Sequence, residues 1–275
     1  MNVPILETPS MAMPALGLGT WPMKGAECQE AVEAALGMGY RHLDTAEMYG
    51  NEDAVGAAIA LAGVPRQDIF LTTKVWNDKT EGTAFRAAFE ASLARLRQPY
   101  VDLLLVHWPS PEMDLPSILS AMARIRENGL ARAVGVSNFP PGLVQKAIGL
   151  DIVKLACLQV EHHVLLDQSR LLAITEPHGM VLTSYTPLAK GEAAEQPVIQ
   201  EIAGRLGATA GQVALAWLLA KPLVSAIPKA RSPARQMENL GAARLKLSAA
   251  DIAAIDALPK GRRLVDPGIA PDWNA

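Results

Sequence analysis

Cysteine is nearly absent: Cys28 and Cys157 are the only two in 275 residues, and neither stands in a C-x-x-C pair or at metal-ligand spacing from a histidine. That excludes a disulfide framework and a thiolate metal site, and two reduced core thiols are expected. Charge of one sign is also missing, with 25 Lys and Arg against 28 Asp and Glu and a net charge of -3. Such a balance makes nucleic acid or an anionic membrane surface a poor partner. Long apolar runs are lacking too. VALAWLLA (213–220) falls well short of the roughly 18 residues that a membrane helix needs. The opening MNVPILETPS lacks the basic and then apolar pattern of a secretion signal. No heptad pattern or extended apolar patch is visible. These absences predict a cytoplasmic monomer with no membrane and no nucleic-acid partner.

What is present is core-forming sequence: 50% of residues are hydrophobic and 19% charged. Short β-rich runs recur at 16–20, 41–45, 69–75, 101–107, 131–137, 157–162, 180–185 and 223–227. Several are continuously apolar, as parallel strands buried on both faces should be. Between them lie helical patterns with readable ends. Asn51 is placed to cap a helix through Ala60, with Glu52 and Asp53 in its first turn and Gly63 beyond its end. Residues 81–97 are amphipathic and stop before Pro99, and two helical patterns, 197–206 and 209–220, follow the seventh strand. Ser248 and Asp251 form a capping-box start for the last helix. Unbroken βα alternation predicts one α/β domain over 1–275, a (β/α)8 TIM barrel, with an N-terminal β-hairpin, up to about Pro14, closing its bottom.

A Rossmann phosphate loop is absent: the nearest match, GLGTWP (17–22), carries Pro22 where the third glycine belongs. In a barrel, chemistry sits at the C-terminal strand ends. There the sequence places Asp44 after strand two with Tyr49 in the following loop, Lys74 at the end of strand three and His107 at the end of strand four. Each alone has a bland reading: a loop cap, a half-buried aromatic, a rim lysine, a structural histidine. Together they fit proton-coupled hydride transfer. A phenol with a pKa near 10 is a poor acid, and an ammonium beside it should lower that value. Asp44 would keep Lys74 charged, His107 would orient a carbonyl, and Tyr49 would protonate the developing alkoxide.

GYRHLDTAEMYGNE (39–52), LTTKVW (71–76), VDLLLVHWP (101–109), GVSNF (135–139) and IPKARSPARQMENL (227–240) resemble the aldo-keto reductase family collinearly over essentially the whole chain. The short loops and the ending RLVDPGIAPDW (263–273) most resemble its bacterial 2,5-diketo-D-gluconate reductase B branch. The resemblance implies the catalytic tetrad Asp44, Tyr49, Lys74 and His107. It also implies an NADPH/NADP cofactor. The nicotinamide end would meet Gly19, Thr20, Trp21, Ser137, Asn138, Gln159 and Tyr185, and Asp44 and Leu188 would also contact the cofactor. The adenine end would meet Lys229, Ser232, Arg235, Glu238 and Asn239. Lys229 and Arg235 also follow the eighth strand, where barrels often bind phosphate. Ala230 stands where the family usually has a serine on the 2′-phosphate, with Arg231 beside it, and Leu158 where it usually has an asparagine before the glutamine. Trp21, Trp76 and Trp108, with Tyr49 and His107, would line the pocket for a small carbonyl substrate, a diketo sugar acid or a dicarbonyl such as methylglyoxal. His42, His162, His163 and His178 read as structural, and no metal is implied. The other readings are a non-catalytic NADP(H)-binding regulator of the same fold, which turnover would separate, and a metal-dependent barrel lyase or hydrolase, which lacks the carboxylate cluster it needs at the strand ends.

Overall fold

In the computed structural model, which describes residues 3–275, the eight apolar runs become the eight parallel strands of one sheet. A short antiparallel hairpin comes first, β1 (Ile5–Glu7) with β2 (Ala12–Pro14). The sheet then runs in chain order through β3 (Leu18–Gly19), β4 (His42–Asp44), β5 (Phe70–Val75), β6 (Val101–Val106), β7 (Ala131–Ser137), β8 (Cys157–Glu161), β9 (Val181–Tyr185) and β10 (Val224–Ala226). Among the described residues ten α-helices accompany them: α1 (Gly25–Met38), α2 (Glu52–Leu61), α3 (Gly82–Leu96), α4 (Leu115–Glu127), α5 (Pro141–Gly149), α6 (Ser169–Thr175), α7 (Pro197–Leu206), α8 (Ala210–Leu219), α9 (Pro233–Gly241) and α10 (Ala249–Asp256). Every residue of β4, β5 and β6 is buried, because helices cover one face and the opposite strands the other.

The sheet closes on itself. The amide of Gly17 donates to the carbonyl of Ala226 at 2.9 Å, Ala226 donates to Ala15 at 2.9 Å, and Gly19 donates to Pro228 at 3.2 Å. A Cβ at Gly19 would stand 2.7 Å from the Ile227 carbonyl oxygen, so the seam requires glycine there. The result is a (β/α)8 barrel.

Side chains alternate across each strand, so one set fills the barrel interior. The set is apolar at the floor, where Met13 of the hairpin packs with Phe70, Leu103, Ala133 and Val181. Above lie hydroxyls: Thr183 bonds Ser225 at 2.8 Å and Cys157 at 3.4 Å. Charged groups appear higher, at Asp44, Lys74 and Glu161. Both thiols are buried and unpaired, and burial pushes each up to about 12.

Most helix ends follow the expected signals. Ser248 and Asp251 make both bonds of a capping box, and Arg97 turns left-handed after α3. Asn51 departs from expectation. It occupies the N-cap position of α2, but its side chain makes no cap bond. Instead it accepts from the Thr45 hydroxyl at 2.7 Å and donates to the Met23 carbonyl at 2.9 Å, tying the β4 loop to the β3 loop. Glu52, expected to serve the helix dipole, is buried and accepts from Thr73 Oγ1 at 2.5 Å and Arg95 Nε at 2.8 Å, fastening α2 to β5 and α3.

Four histidines are buried, and burial pulls the pKa of three of them down. Burial pulls His42 below its ordinary 6.5, pulls His107 well below it, and, with Lys221 and His163 adding to it, takes His162 to about 3. Below about pH 6.5 the unfolded chain binds protons at these positions that the folded chain refuses. Stability is therefore lost as pH falls, by up to about 1.4 kcal/mol per pH unit for each such histidine. The melting temperature should drop between pH 7.5 and 5, and His162→Asn should flatten that drop. Equal slopes for the two proteins would contradict the assignment of His162.

Candidate active site

β4 delivers Asp44 to the upper interior of the barrel, and a single 3-10 turn, Glu47–Tyr49, brings the chain back over the rim. Glu47 fixes that turn by accepting the backbone amide of Trp76 at 3.0 Å. Tyr49 is thereby placed above Lys74, which points inward from β5 and is fully buried. The ammonium of Lys74 donates to Asp44 Oδ1 at 2.5 Å, to the Thr45 carbonyl at 2.9 Å and to Tyr49 Oη at 3.3 Å. All three of its protons have acceptors. Asp44 Oδ2 accepts from Gln159 Nε2 at 2.8 Å, so both carboxylate oxygens are used. Burial lowers the pKa of Lys74, but the charge and hydrogen bond of Asp44, with Tyr49, outweigh it and raise the value above the ordinary one. The lysine is a fixed cation.

His107 follows β6 and completes the group. Its ring lies edge-on to Tyr49 at 5.4 Å and to Trp76 at 5.1 Å. Burial, helped by the Lys74 charge, keeps it neutral. Nδ1 is buried without a partner, leaving Nε2 as the ring nitrogen open to the cavity. Tyr49 corrects the sequence expectation. Lys74 does pull its pKa down, but burial pushes harder, and the phenol sits above its ordinary value. Tyr49 is therefore a protonated phenol at neutral pH, the form that can give a proton.

A second hydrogen-bonded group lies beside the first. Asn138, left-handed with φ 62°, accepts from Tyr185 Oη at 2.7 Å and donates to the His107 carbonyl at 2.9 Å and Ser137 Oγ at 3.1 Å. Leu158 faces away from Gln159, into the packing between sheet and helices, so its difference from the family pattern does not touch this cavity.

The cavity over both groups has a volume of about 780 Å³. Gly19, Thr20, Trp21, Trp76 and Trp108 border it, as expected, together with Asp44, Tyr49, His107, Ser137, Asn138, Gln159, Tyr185 and Lys229, while Lys74 is buried behind this wall and does not reach it. The sequence reading missed Met48, Lys190 and the segment Leu264–Ile269, which also line it. Met48 and Ile269 are large apolar side chains left exposed, a property that only the folded chain reveals. Leu188, Ser232, Arg235, Glu238 and Asn239 do not border this cavity. Leu188 packs against the core. Ser232 caps α9 by accepting the amide of Arg235 at 3.4 Å, and Asn239 is buried in α9. Exposed Arg235 pairs with Glu238 at 2.6 Å, and Thr209 Oγ1 donates to Glu238 at 2.8 Å. Arg231 pairs with Glu27 at 3.0 Å, and Ala230 is buried.

The aldo/keto reductase family model matches residues 15–260. The chain belongs to the aldo/keto reductase family. A methylglyoxal reductase, DkgB, of Escherichia coli O157:H7 is 41% identical over 268 residues, covering 96% of this chain and all of the relative. An aldo-keto reductase of Mycolicibacterium smegmatis is 40% identical over 254 residues, 92% of each chain. A solved structure assigned as a 2,5-diketo-D-gluconic acid reductase B superposes with a TM-score of 0.95 at 41% identity, covering 99% of each chain. This aldo-keto reductase is a carbonyl-reducing oxidoreductase. Nothing in the comparisons favours the non-catalytic reading.

Proposed function

We propose that this aldo-keto reductase reduces small aldehydes and ketones with NADPH, using Tyr49 as the proton donor and Asp44, Lys74 and His107 as its partners. Dicarbonyls of the methylglyoxal type, and 2,5-diketo-D-gluconate, are the substrates that its relatives' names suggest. The observation that carries the reading is the Lys74 ammonium held between the Asp44 carboxylate and the Tyr49 hydroxyl. His107 donates from Nε2 to the carbonyl oxygen and sets its direction. Tyr49 Oη gives its proton to that oxygen as negative charge develops there, and Lys74 stabilises the phenolate left behind. Asp44 keeps Lys74 charged and in place. The bound nicotinamide supplies the hydride. Ser137, Asn138 and Gln159 present polar atoms for its carboxamide, and the Tyr185 ring offers a stacking face.

Lys229 and Arg235 would hold the 2′-phosphate. Arg235 is occupied only by an exposed pair with Glu238, a bond of a kind worth about 0–1 kcal/mol and so readily exchanged for a phosphate. It lies in the first turn of α9, where the helix dipole adds attraction for an anion.

Methylglyoxal should drive NADPH oxidation at 340 nm, with NADH a poorer donor. Arg235→Ala should weaken NADPH binding roughly ten- to a hundredfold, the worth of a charged hydrogen bond, and leave NADH within about twofold. The difference should shrink as salt is raised. Fluorescence titration of both cofactors checks this, and equal weakening would remove Arg235 from the phosphate site. Absence of turnover across a panel of small dicarbonyls, sugar-derived diketones and aromatic aldehydes would refute the substrate class.

A further inference from the structure

Residues 262–275, after the last helix, form no helix or strand, yet Leu264–Ile269 make one wall of the cavity. What holds a wall without regular structure in place is a buried charge. Glu161 is the last residue of β8 and lies on the inward face, two positions beyond Gln159. Its side chain is fully buried. Oε1 accepts the amide of Leu264 at 2.8 Å, and Oε2 accepts the amide of Val265 at 3.0 Å. His163 Nε2 lies 3.0 Å from Oε1, and its other nitrogen, Nδ1, accepts the Leu165 amide at 3.3 Å. His163 therefore carries its proton on Nε2 and donates to Glu161. The Arg263 guanidinium stands 3.7 Å from Oε2.

A buried carboxylate is costly unless its lone pairs are filled, and hydrogen bonds to a charged acceptor are about twice as strong as neutral ones. Two of the donors that satisfy Glu161 belong to the tail. The carboxylate and the tail thus depend on each other. Lys190 grips the same residue from the cavity side, donating to the Leu264 carbonyl at 2.9 Å, so both polar backbone groups of Leu264 are held. Farther on, Trp273 joins the tail to the rim, edge-on to Trp108 at 5.9 Å and donating to Asp266 at 2.8 Å.

We propose that Glu161 is a positioning residue: by fixing Leu264 and Val265 it sets the tail wall of the carbonyl pocket, and so controls how tightly substrate is held, without handling the proton or the hydride. The effect on KM rests on the reductase reading above, whereas the anchoring of the tail does not.

Hydrogen exchange on the full chain tests the anchoring without turnover. In the parent, the amides of Leu264 and Val265 should exchange far more slowly than those of Gly268 and Ile269, which make no hydrogen bond among the described residues. If all four exchange alike, the clasp does not exist and the proposal fails. Glu161→Gln keeps the shape and removes the charge. It should speed exchange at Leu264 and Val265 roughly ten- to a hundredfold while peptides of β8 and β9 stay protected. With methylglyoxal and saturating NADPH, the same variant should raise KM at least about fivefold and leave kcat within about twofold, the pattern of lost uniform binding. A fall in kcat at unchanged KM would overturn the positioning role and assign Glu161 to the chemical step.

Discussion

Replacing Tyr49 with Phe should lower kcat by ~10²–10⁴-fold, the usual worth of a positioned general acid, and should leave NADPH affinity nearly unchanged. The expectation follows from how little else the hydroxyl does. The ring packs against Trp21 at 5.1 Å and His107 at 5.4 Å, and Phe keeps both contacts. Among the described residues Tyr49 Oη accepts only from Lys74, at 3.3 Å, and the lysine retains Asp44 and the Thr45 carbonyl when that acceptor is gone. Fold and cofactor affinity should survive while proton delivery does not. Single-turnover NADPH oxidation and a fluorescence titration separate the two. A Phe variant turning over within a few-fold of the parent would remove Tyr49 from the chemistry.

Lys74→Met damages activity as severely and stability as well. The substitution strands Asp44, a buried carboxylate left with Gln159 as its remaining side-chain donor, and breaking a buried ion pair from one side costs about 3–5 kcal/mol. The pH behaviour carries the sharper test. Lys74 titrates above its ordinary 10.5, so its contribution to stability is complete below that pH and is lost as pH rises through the higher native value. The parent should lose stability more steeply at alkaline pH than the Met variant, which keeps the loss due to its buried thiols and phenols and lacks only the Lys74 contribution. Tyr49 loses the cation that pulls its pKa down while keeping the burial that pushes it up. The alkaline limb of any residual activity should therefore move to higher pH, rather than the whole profile being scaled. Thermal melts and kcat profiles from pH 6 to 11 on both proteins check the two effects. A folded variant with the parent's profile would show that Lys74 and Tyr49 are not coupled.

The strands were readable because parallel strands under helices must be apolar on both faces, and eight such runs stand out in the sequence. The Asp44–Lys74 pair was readable for the opposite reason: Lys74 is a charge at the end of an apolar strand, which needs a partner to exist there. The failures have equally physical causes. Asn51 has the right residue type for a cap, but its bonds to Thr45 and Met23 are contacts between loops that no local pattern records. For Tyr49 the sequence supplied the cation and not the burial, and burial decides the direction. Leu158 is next to Gln159 in the chain and on the opposite face of the strand. The tail wall lacks periodicity altogether. Its place is set by Glu161, a hundred residues earlier, and only the folded chain brings them together.

The hairpin at the floor has one more consequence. With Met13 seated among Phe70, Leu103 and Val181, the ring is stopped at its lower end, and Asp44 reaches the cavity at the upper one. Tyr49 stands at that mouth, so a molecule held there would stand between the Asp44–Lys74 pair and the surrounding water.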